Sequence, residues 1–235
     1  MEIEMNEGVA AARIDQIKSR AGLDKDERIV KDGILRMGSL VESQIRDAVR
    51  AVADRDVALA DQVILGDIRI NDAQREVGDA VVMTIATQSP VARDLRFLMA
   101  LDHVASELER MGDHASSVAK TARRLADAPA LREVTELARM GNLAADQVNG
   151  IISALIDIDD RKAREVAARD DDIDHAYHAL FAKLLDLMRT TPETAERGTR
   201  LILASHWIER IGDRVTNIAE NVVYLATGEI EDLNP

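Results

Sequence analysis

Apolar side chains recur every three or four residues along most of the chain, the spacing that places them on one face of an α-helix. The pattern of the first stripe begins at Glu27 and is carried by Ile34, Met37, Leu40, Val41, Ile45, Ala48, Val49 and Val52. A second stripe runs through residues 63–85 and a third through 95–125. The spacing therefore predicts three long amphipathic helices in the first half of the chain.

Local polar residues mark where these helices are expected to begin and end. Asp54-Arg55-Asp56 interrupts the first pattern, and an aspartate there can cap the next helix. Ser89-Pro90 offers a serine N-cap followed by proline at the first helical position, so a third helix is expected to start at Pro90. Residues 1–26 are polar and mixed, which indicates a loosely held arm with a short helix at Val9–Arg20.

The second half of the chain repeats the first. Met37-Gly38-Ser39-Leu40 matches Met140-Gly141-Asn142-Leu143, and Ser89-Pro90 matches Thr191-Pro192. Helices joined by short connections pack antiparallel. We therefore predict an all-α protein with six helices, in two tandem three-helix bundles related by an internal repeat. The expected divisions are an N-terminal arm at 1–26, a first repeat at 27–127, a second repeat at 128–228 and a C-terminal tail at 229–235.

A five-residue acidic motif occurs in both halves, 100 positions apart: Glu109-Arg110-Met111-Gly112-Asp113 and Glu209-Arg210-Ile211-Gly212-Asp213. Its two carboxylates are four residues apart, so they are neighbours on one helix face, where like charges cost about 0.2–0.5 kcal/mol. A glycine inside a helix costs about 1 kcal/mol relative to alanine. The repetition of both unfavourable features indicates a close approach at the glycine and a positive species between the carboxylates.

The middle helix of each repeat supplies a second pair of oxygen donors on or beside its apolar stripe. Each repeat should therefore bring an acidic pair from its third helix close to a pair from its middle helix. The candidate metal ligands are Glu109, Asp113, Asp67 and Asn71 in the first repeat, and Glu209, Asp213, Asp170 and Asp174 in the second. His178, four residues after Asp174, is one further candidate. Oxygen ligands without thiols suit Mg, Mn, Ca, iron or zinc.

Composition narrows the class of protein. The net charge of −13 argues against general nucleic-acid binding, which needs a basic surface. No run of 18 uncharged apolar residues is present, so no membrane insertion is expected. There is no cysteine, which fits a reducing compartment, and the acidic first residues do not read as a secretory signal. A cytoplasmic location is the resulting expectation.

Two other interpretations of the acidic residues compete with metal binding. Basic residues near the motifs would neutralise the carboxylates in surface ion pairs; the candidates are Arg110, Arg210, Arg214 and Lys120. A ferritin-type di-iron oxidase would need Glu-x-x-His on two helices, but Glu109 and Glu209 are followed at that position by glycine. No Ser/His/Asp arrangement, Walker loop or dinucleotide-binding glycine pattern is found, so no enzymatic activity is expected.

The two motifs in their tandem three-helix context closely resemble the PhoU family of bacterial phosphate-signalling proteins. The resemblance covers residues 28–228. It implies Glu/Asp-x-x-x-Asp motifs that bind multinuclear metal clusters, with iron or zinc the expected metal and Mg or Mn as alternatives. Family motif positions fall on Glu109, Asp113, Glu209, Asp213, Asp170 and Asp174. The remaining position is Asn71, paired with Asp67, where an amide replaces a carboxylate.

The resemblance also implies a function. Family members are cytoplasmic negative regulators of phosphate uptake and of the phosphate-starvation response. They are thought to link the ATPase subunit of the phosphate ABC transporter to a sensor histidine kinase. We therefore expect a non-catalytic metal-binding adaptor with these two partners. A homodimer is a further possible assembly. The alternative is a metal-storage or metal-dependent helical bundle, in which the carboxylate sites themselves are the function.

Overall fold

In the computed structural model of the protein, the backbone is described for residues 2–233 and the side chains for residues 20–233. Within that part every regular element is helical. The elements are α1 Glu2–Asp54, α2 Val57–Gln88, α3 Ala92–Leu125, α4 Val134–Asp157, α5 Asp160–Ala167, α6 Asp170–Thr190, a 3-10 turn Pro192–Thr194, and α7 Ala195–Thr227.

The helices form two bundles that share one core. The first bundle consists of α1, α2 and α3, and the second of α4, α5, α6 and α7, with α5 and α6 together taking the place of α2. Helix α1 packs on α4, and α3 packs on α7, so the two bundles lie side by side. A single cluster of buried apolar side chains continues through both. The predicted all-α fold with two tandem three-helix units is confirmed.

The turn after the first helix of each bundle is built in the same way twice. Arg55 and Ile158 both adopt a left-handed backbone conformation, with φ of 56° and 50°. The aspartate after each then caps the following helix: Asp56 Oδ1 accepts from Leu59 N at 2.9 Å, and Asp159 Oδ1 accepts from Lys162 N at 3.0 Å. The cap expected at Asp56 is therefore present, and the internal repeat extends to backbone geometry.

The first helix is longer than predicted. Residue 27 is not a helix boundary, because α1 runs without a break from Glu2 and includes the segment predicted to be an arm. This segment contains no proline to stop it. Its last turns are tied to the start of α3 and the end of α2: Arg20 Nη1 lies 2.6 Å from Asp94 Oδ2, and Gln88 Nε2 donates to Asp26 Oδ2 at 2.8 Å. Met1 lies outside the described residues.

The predicted start of the third helix at Pro90 is wrong. Ser89 has a left-handed backbone (φ 48°), and its N–H donates to Ile85 O, so it ends α2 rather than capping α3. Val91 is extended, and α3 begins at Ala92. In the second repeat, the matching Pro192 opens a 3-10 turn that leads directly into α7. Ser89-Pro90 therefore does mark a helix boundary, but the serine ends α2 and does not cap the start of α3.

The connection between the bundles, residues 126–133, is held from both sides. Arg55 Nη1 donates to Ala128 O at 3.0 Å, and Arg197 Nη1 donates to Pro129 O at 2.7 Å. The boundary expected near 127 therefore falls in this connection.

After α7, Gly228 caps the helix with φ of 79°, and Glu231 pairs with Arg164 on the end of α5. No helix in the described part of the chain combines the length and apolarity needed to cross a bilayer.

Candidate functional site

The first acidic site lies between α2 and α3. Asp67 and Asn71 come from α2, one helical turn apart, and Glu109 and Asp113 come from α3. Gly112 brings the helices together: a Cβ at this position would lie 2.9 Å from Ile70 Cδ1 and 3.3 Å from Asp67 Oδ1. A close approach at this glycine was predicted. It places the Asp67 carboxylate against the backbone of the motif.

The charges of the first site act on one another. Burial raises the pKa of Asp67, and the nearby Asp113 raises it further. Burial is also the main cause of the raised pKa of Glu109, and repulsion from Asp113 and Asp67 raises it further. The Oδ1 atom of Asn71 is buried and accepts no hydrogen bond from any described residue. The structure thus brings the three carboxylates of the first repeat close enough to interact, with Asn71 one turn further along α2.

The second acidic site is tighter. Asp170, at the start of α6, is only 5% exposed. Its Oδ1 lies against the backbone of Gly212 on α7, so closely that a Cβ at 212 would clash with it. Asp174 follows one turn later on α6, and Glu209 and Asp213 lie on α7 beside the glycine. The same arrangement of middle and third helix occurs in both repeats.

The carboxylates of this second site include the most strongly shifted acid of the described residues. Burial is the largest cause, and together with the charges of Asp174, Asp213 and Glu209 it raises the pKa of Asp170 to about 7. Burial and the charge of Asp213 raise the pKa of Asp174, and His178 offsets part of this increase. Burial and Asp213 likewise raise the pKa of Glu209. Burial and the neighbouring carboxylates therefore disfavour the ionised forms of Asp170, Asp174 and Glu209.

Two basic side chains of α7 pair with acids of the second site. Arg210 Nη1 lies 2.9 Å from Asp213 Oδ2, and His206 Nδ1 lies 3.3 Å from Glu209 Oε2. Arg214, another of the proposed neutralising residues, points elsewhere: its Nη1 lies 3.4 Å from Glu107 Oε2. Since the pKa values of Asp170, Asp174 and Glu209 are raised despite these pairs, surface ion pairing does not account for the cluster.

The helices that carry the two acidic motifs, α3 and α7, cross each other. There, Glu107 of α3 is 4% exposed and accepts from Arg214 Nη1 at 3.4 Å and from Asn217 Nδ2 at 3.3 Å. At the matching point, His114 of α3 stacks on Trp207 of α7 with ring centroids 5.2 Å apart. Residues 107 and 114 correspond to 207 and 214 in the repeat, so the crossing has approximate twofold symmetry with different chemistry on its two sides.

Sequence reasoning missed one residue of the first site, Gln44, and the equivalent position in the second repeat, Gln147. Gln44 on α1 donates through Nε2 to Asp67 Oδ1 at 3.3 Å and is 7% exposed. Gln147 on α4 is 3% exposed. They are separated by 103 positions, the same register that relates Asp67 to Asp170. The shared register is a sequence signal for both residues, but an uncharged amide on a helix without an acidic motif does not by itself indicate a ligand.

The donor chemistry of both sites fits a hard or borderline cation, because it consists of carboxylate and amide oxygens in partly buried positions. Within the described residues, however, no three His, Asp or Glu side chains converge on one point as metal ligands. The carboxylates of each site are therefore neighbours that do not point to one shared centre.

An all-helical fold of two tandem bundles with matching acidic sites defines a class of repeat protein, and comparison with known proteins identifies the family. The PhoU domain matches the chain twice, at residues 34–122 and 137–222. The chain belongs to the PhoU family. It is similar to the phosphate-specific transport system accessory protein PhoU homolog of Clostridium acetobutylicum, with 36% identity over 92% of this chain and 99% of that protein. Identity to the protein of the same name from Rhizobium meliloti is 35%, over 88% of each chain.

Solved structures give the same result. The crystal structure of PhoU from Pseudomonas aeruginosa superposes with a TM-score of 0.84 and 34% identity, over 88% of this chain and 99% of that one. The structure of the phosphate transport system regulatory protein PhoU from Streptococcus pneumoniae superposes with a TM-score of 0.83 and 31% identity, over 89% and 99%. These relatives are regulatory and accessory proteins, so the chain belongs to a non-catalytic family.

Proposed function

We propose that this protein is a negative regulator of phosphate uptake and of the phosphate-starvation response, acting by contact with other proteins. The observation that carries this proposal is the similarity to phosphate transport accessory and regulatory proteins over nearly the whole chain. The expected partners are the ATPase subunit of the phosphate ABC transporter and a phosphate-sensing histidine kinase, in the cytoplasm. The net charge of −13 favours partner surfaces with basic patches.

A deletion strain and a binding assay test the regulatory role together. Loss of the protein should derepress phosphate-starvation genes in high phosphate, and the purified protein should retain the transporter ATPase subunit or the kinase from a defined mixture. Association should be faster at low salt, because charge steers the encounter. Normal repression in the deletion strain, with neither partner retained, would reject the regulatory role and leave metal storage as the better account.

We also propose that both acidic sites bind metal ions, with iron or zinc as the first candidates and Mg or Mn as alternatives. What supports this is the burial of carboxylates close to one another, which disfavours their ionised forms and which a bound cation would offset. In the first repeat the ligands would be Asp67, Asn71, Glu109 and Asp113; in the second, Asp170, Asp174, Glu209 and Asp213. Binding requires the side chains to rotate toward a shared point, which is feasible because most of them are partly exposed.

Elemental analysis of protein purified without chelator tests metal binding directly. The second site offers four carboxylates and the first offers three plus an amide, so we expect the second to bind more tightly. Asp213→Ala should therefore reduce the bound metal more than Asp113→Ala. Equal metal content in the wild type and both variants would count against both sites.

A further inference from the structure

The buried glutamine of the first bundle has a fixed orientation. Gln44 Nε2 donates to the backbone carbonyl of Val63 at 3.2 Å and to Asp67 Oδ1 at 3.3 Å. A backbone carbonyl can only accept, so the NH2 group of the amide must face α2 and the Oε1 atom must face away from it. That Oε1 atom is buried and accepts no hydrogen bond from any described residue.

The unpartnered oxygen lies at the acidic motif. A Cβ at Gly112 would be 3.4 Å from Gln44 Oε1 and 3.3 Å from Asp67 Oδ1, so both oxygens lie against α3 at the same residue. Gly112 stands between the two carboxylate positions of the motif, Glu109 and Asp113. A buried acceptor without a partner costs free energy, which a bound cation would recover.

We propose that Gln44 is an additional metal ligand of the first site, contributed by a third helix through Oε1. This proposal rests on the metal binding proposed above. Amide oxygens are ordinary ligands of hard cations. The bond from Nε2 to Asp67 Oδ1 would at the same time orient that carboxylate, as partners of metal ligands commonly do. All three helices of the first bundle then contribute to one site.

The second bundle carries the same feature. Gln147 lies 103 positions after Gln44, on the helix that corresponds to α1, and its Oε1 is also buried without a hydrogen-bond partner in the described part of the chain. Since Asp170 follows Asp67 by the same interval, the internal repeat assigns Gln147 to the second site. A neutral oxygen suits both sites, because it adds a ligand without adding to the repulsion between carboxylates.

Two substitutions at Gln44 separate a ligand from a structural link. The full-length chain with Glu209→Gln and Asp213→Asn serves as the parent, so that Mn²⁺ binding in equilibrium dialysis reports on the first site. Gln44→Met removes the oxygen and should weaken Mn²⁺ binding roughly tenfold to a hundredfold. Gln44→Glu keeps an oxygen at that position and should bind at least as tightly as the parent. Gln62→Met, at an exposed glutamine on α2, is the matched control and should be unchanged.

The outcomes are distinct. If Gln44 serves only through its Nε2 hydrogen bonds, Met and Glu both lose them, and equal weakening in the two variants would overturn the proposal. If the wild type binds Mn²⁺ but the parent does not, only the second site binds metal. That result would overturn the role of Gln44 without contradicting metal binding by the protein. Absence of binding in the wild type would reject both proposals. Should Gln44→Met fail to fold, Gln147→Met and Gln147→Glu in an Asp113→Asn background give the same comparison at the second site.

Discussion

Gly112 and Gly212 occupy equivalent positions in the two motifs but are not equally crowded. At Gly112, an added Cβ would be 2.9 Å from the end of the flexible Ile70 side chain. At Gly212, it would clash with a carboxylate oxygen of Asp170, a short side chain that is 5% exposed. Gly66 on α2 has no atom within 4 Å of an added Cβ. The three glycines therefore allow crowding to be separated from helix propensity.

Gly212→Ala should lower the free energy of unfolding by about 1–3 kcal/mol, because Asp170 must shift to admit the methyl group. Gly66→Ala, the control, should raise it by up to about 1 kcal/mol, since only the helix propensity changes. Urea denaturation of both variants measures these differences. A Gly212→Ala variant as stable as the Gly66→Ala variant would show that Asp170 is not seated against α7.

At the scale of helices, the crossing of α3 and α7 joins the bundles through a buried charge. Glu107→Ala would leave Arg214 without its partner at a position where that arginine is only 16% exposed. Removing one member of a buried pair typically costs about 3 kcal/mol. Glu76 pairs with Arg36 at the surface, and its side chain is 63% exposed. Glu76→Ala should therefore lower the free energy of unfolding by no more than about 1 kcal/mol.

A double-mutant cycle measures the coupling. Glu107→Ala and Arg214→Ala should each destabilise the protein, and the double variant should lose less than the sum of the two, because no unpaired charge remains. The same cycle at Arg36 and Glu76 should be nearly additive. Additive losses at Glu107 and Arg214 would mean that the two side chains contribute separately to the interface.

On the other side of the same crossing, His114 should make the stability of the fold depend on pH. Burial, together with the charges of Arg214 and Arg210, lowers the pKa of His114 from its ordinary 6.5 to about 4. The folded state then binds fewer protons than the unfolded state between these values, so the stability associated with neutral His114 is complete above pH 6.5 and is lost as the pH falls toward 4.

His114→Phe tests this prediction, because phenylalanine keeps a ring on Trp207 but does not titrate. The urea midpoint of the wild type should fall relative to that of His114→Phe as the pH is lowered from 7 to 5. Other acids titrate in both proteins, so only the difference between them is informative. A constant difference across this range would mean that His114 is not shielded at the crossing.

At the scale of the whole molecule, the two acidic sites link metal binding to the stability of both bundles. A ligand that binds only the folded state stabilises it by mass action. Because the bundles share one core, chelator should lower the melting temperature of the whole chain in a single transition. The Glu209→Gln/Asp213→Asn variant should respond less, since its repulsion is already relieved. A wild-type melting curve unaffected by chelator and by added divalent ions would contradict the metal proposal.

The sequence by itself determined the helical class, the internal repeat and the acidic motifs. Apolar residues at every third or fourth position can be buried on one face only if the backbone is helical. A carboxylate pair four residues apart must then lie on one side of its helix. Even the close approach at Gly112 and Gly212 was predicted, because a glycine costs too much inside a helix to be placed there twice without a contact.

Helix boundaries needed the tertiary structure. The middle helix of the second repeat is divided at Ala168 and Arg169, between α5 and α6. No glycine or proline marks this break; three aspartates, at 170–172, occupy the first turn of the new helix, where the helix dipole favours negative charge. The same residue type would serve equally well on an exposed face of an unbroken helix, so the local sequence was ambiguous.

Which side chains meet across helices was decided only by packing. The pairing of Glu107 with Arg214 and the stack of His114 on Trp207 depend on where α3 crosses α7, and no local pattern specifies a crossing point. Gln44 reaches Asp67 from a different helix for the same reason. Periodicity fixes which face of a helix is buried, but the partner of each buried polar group is set by the distances between helices in the folded chain.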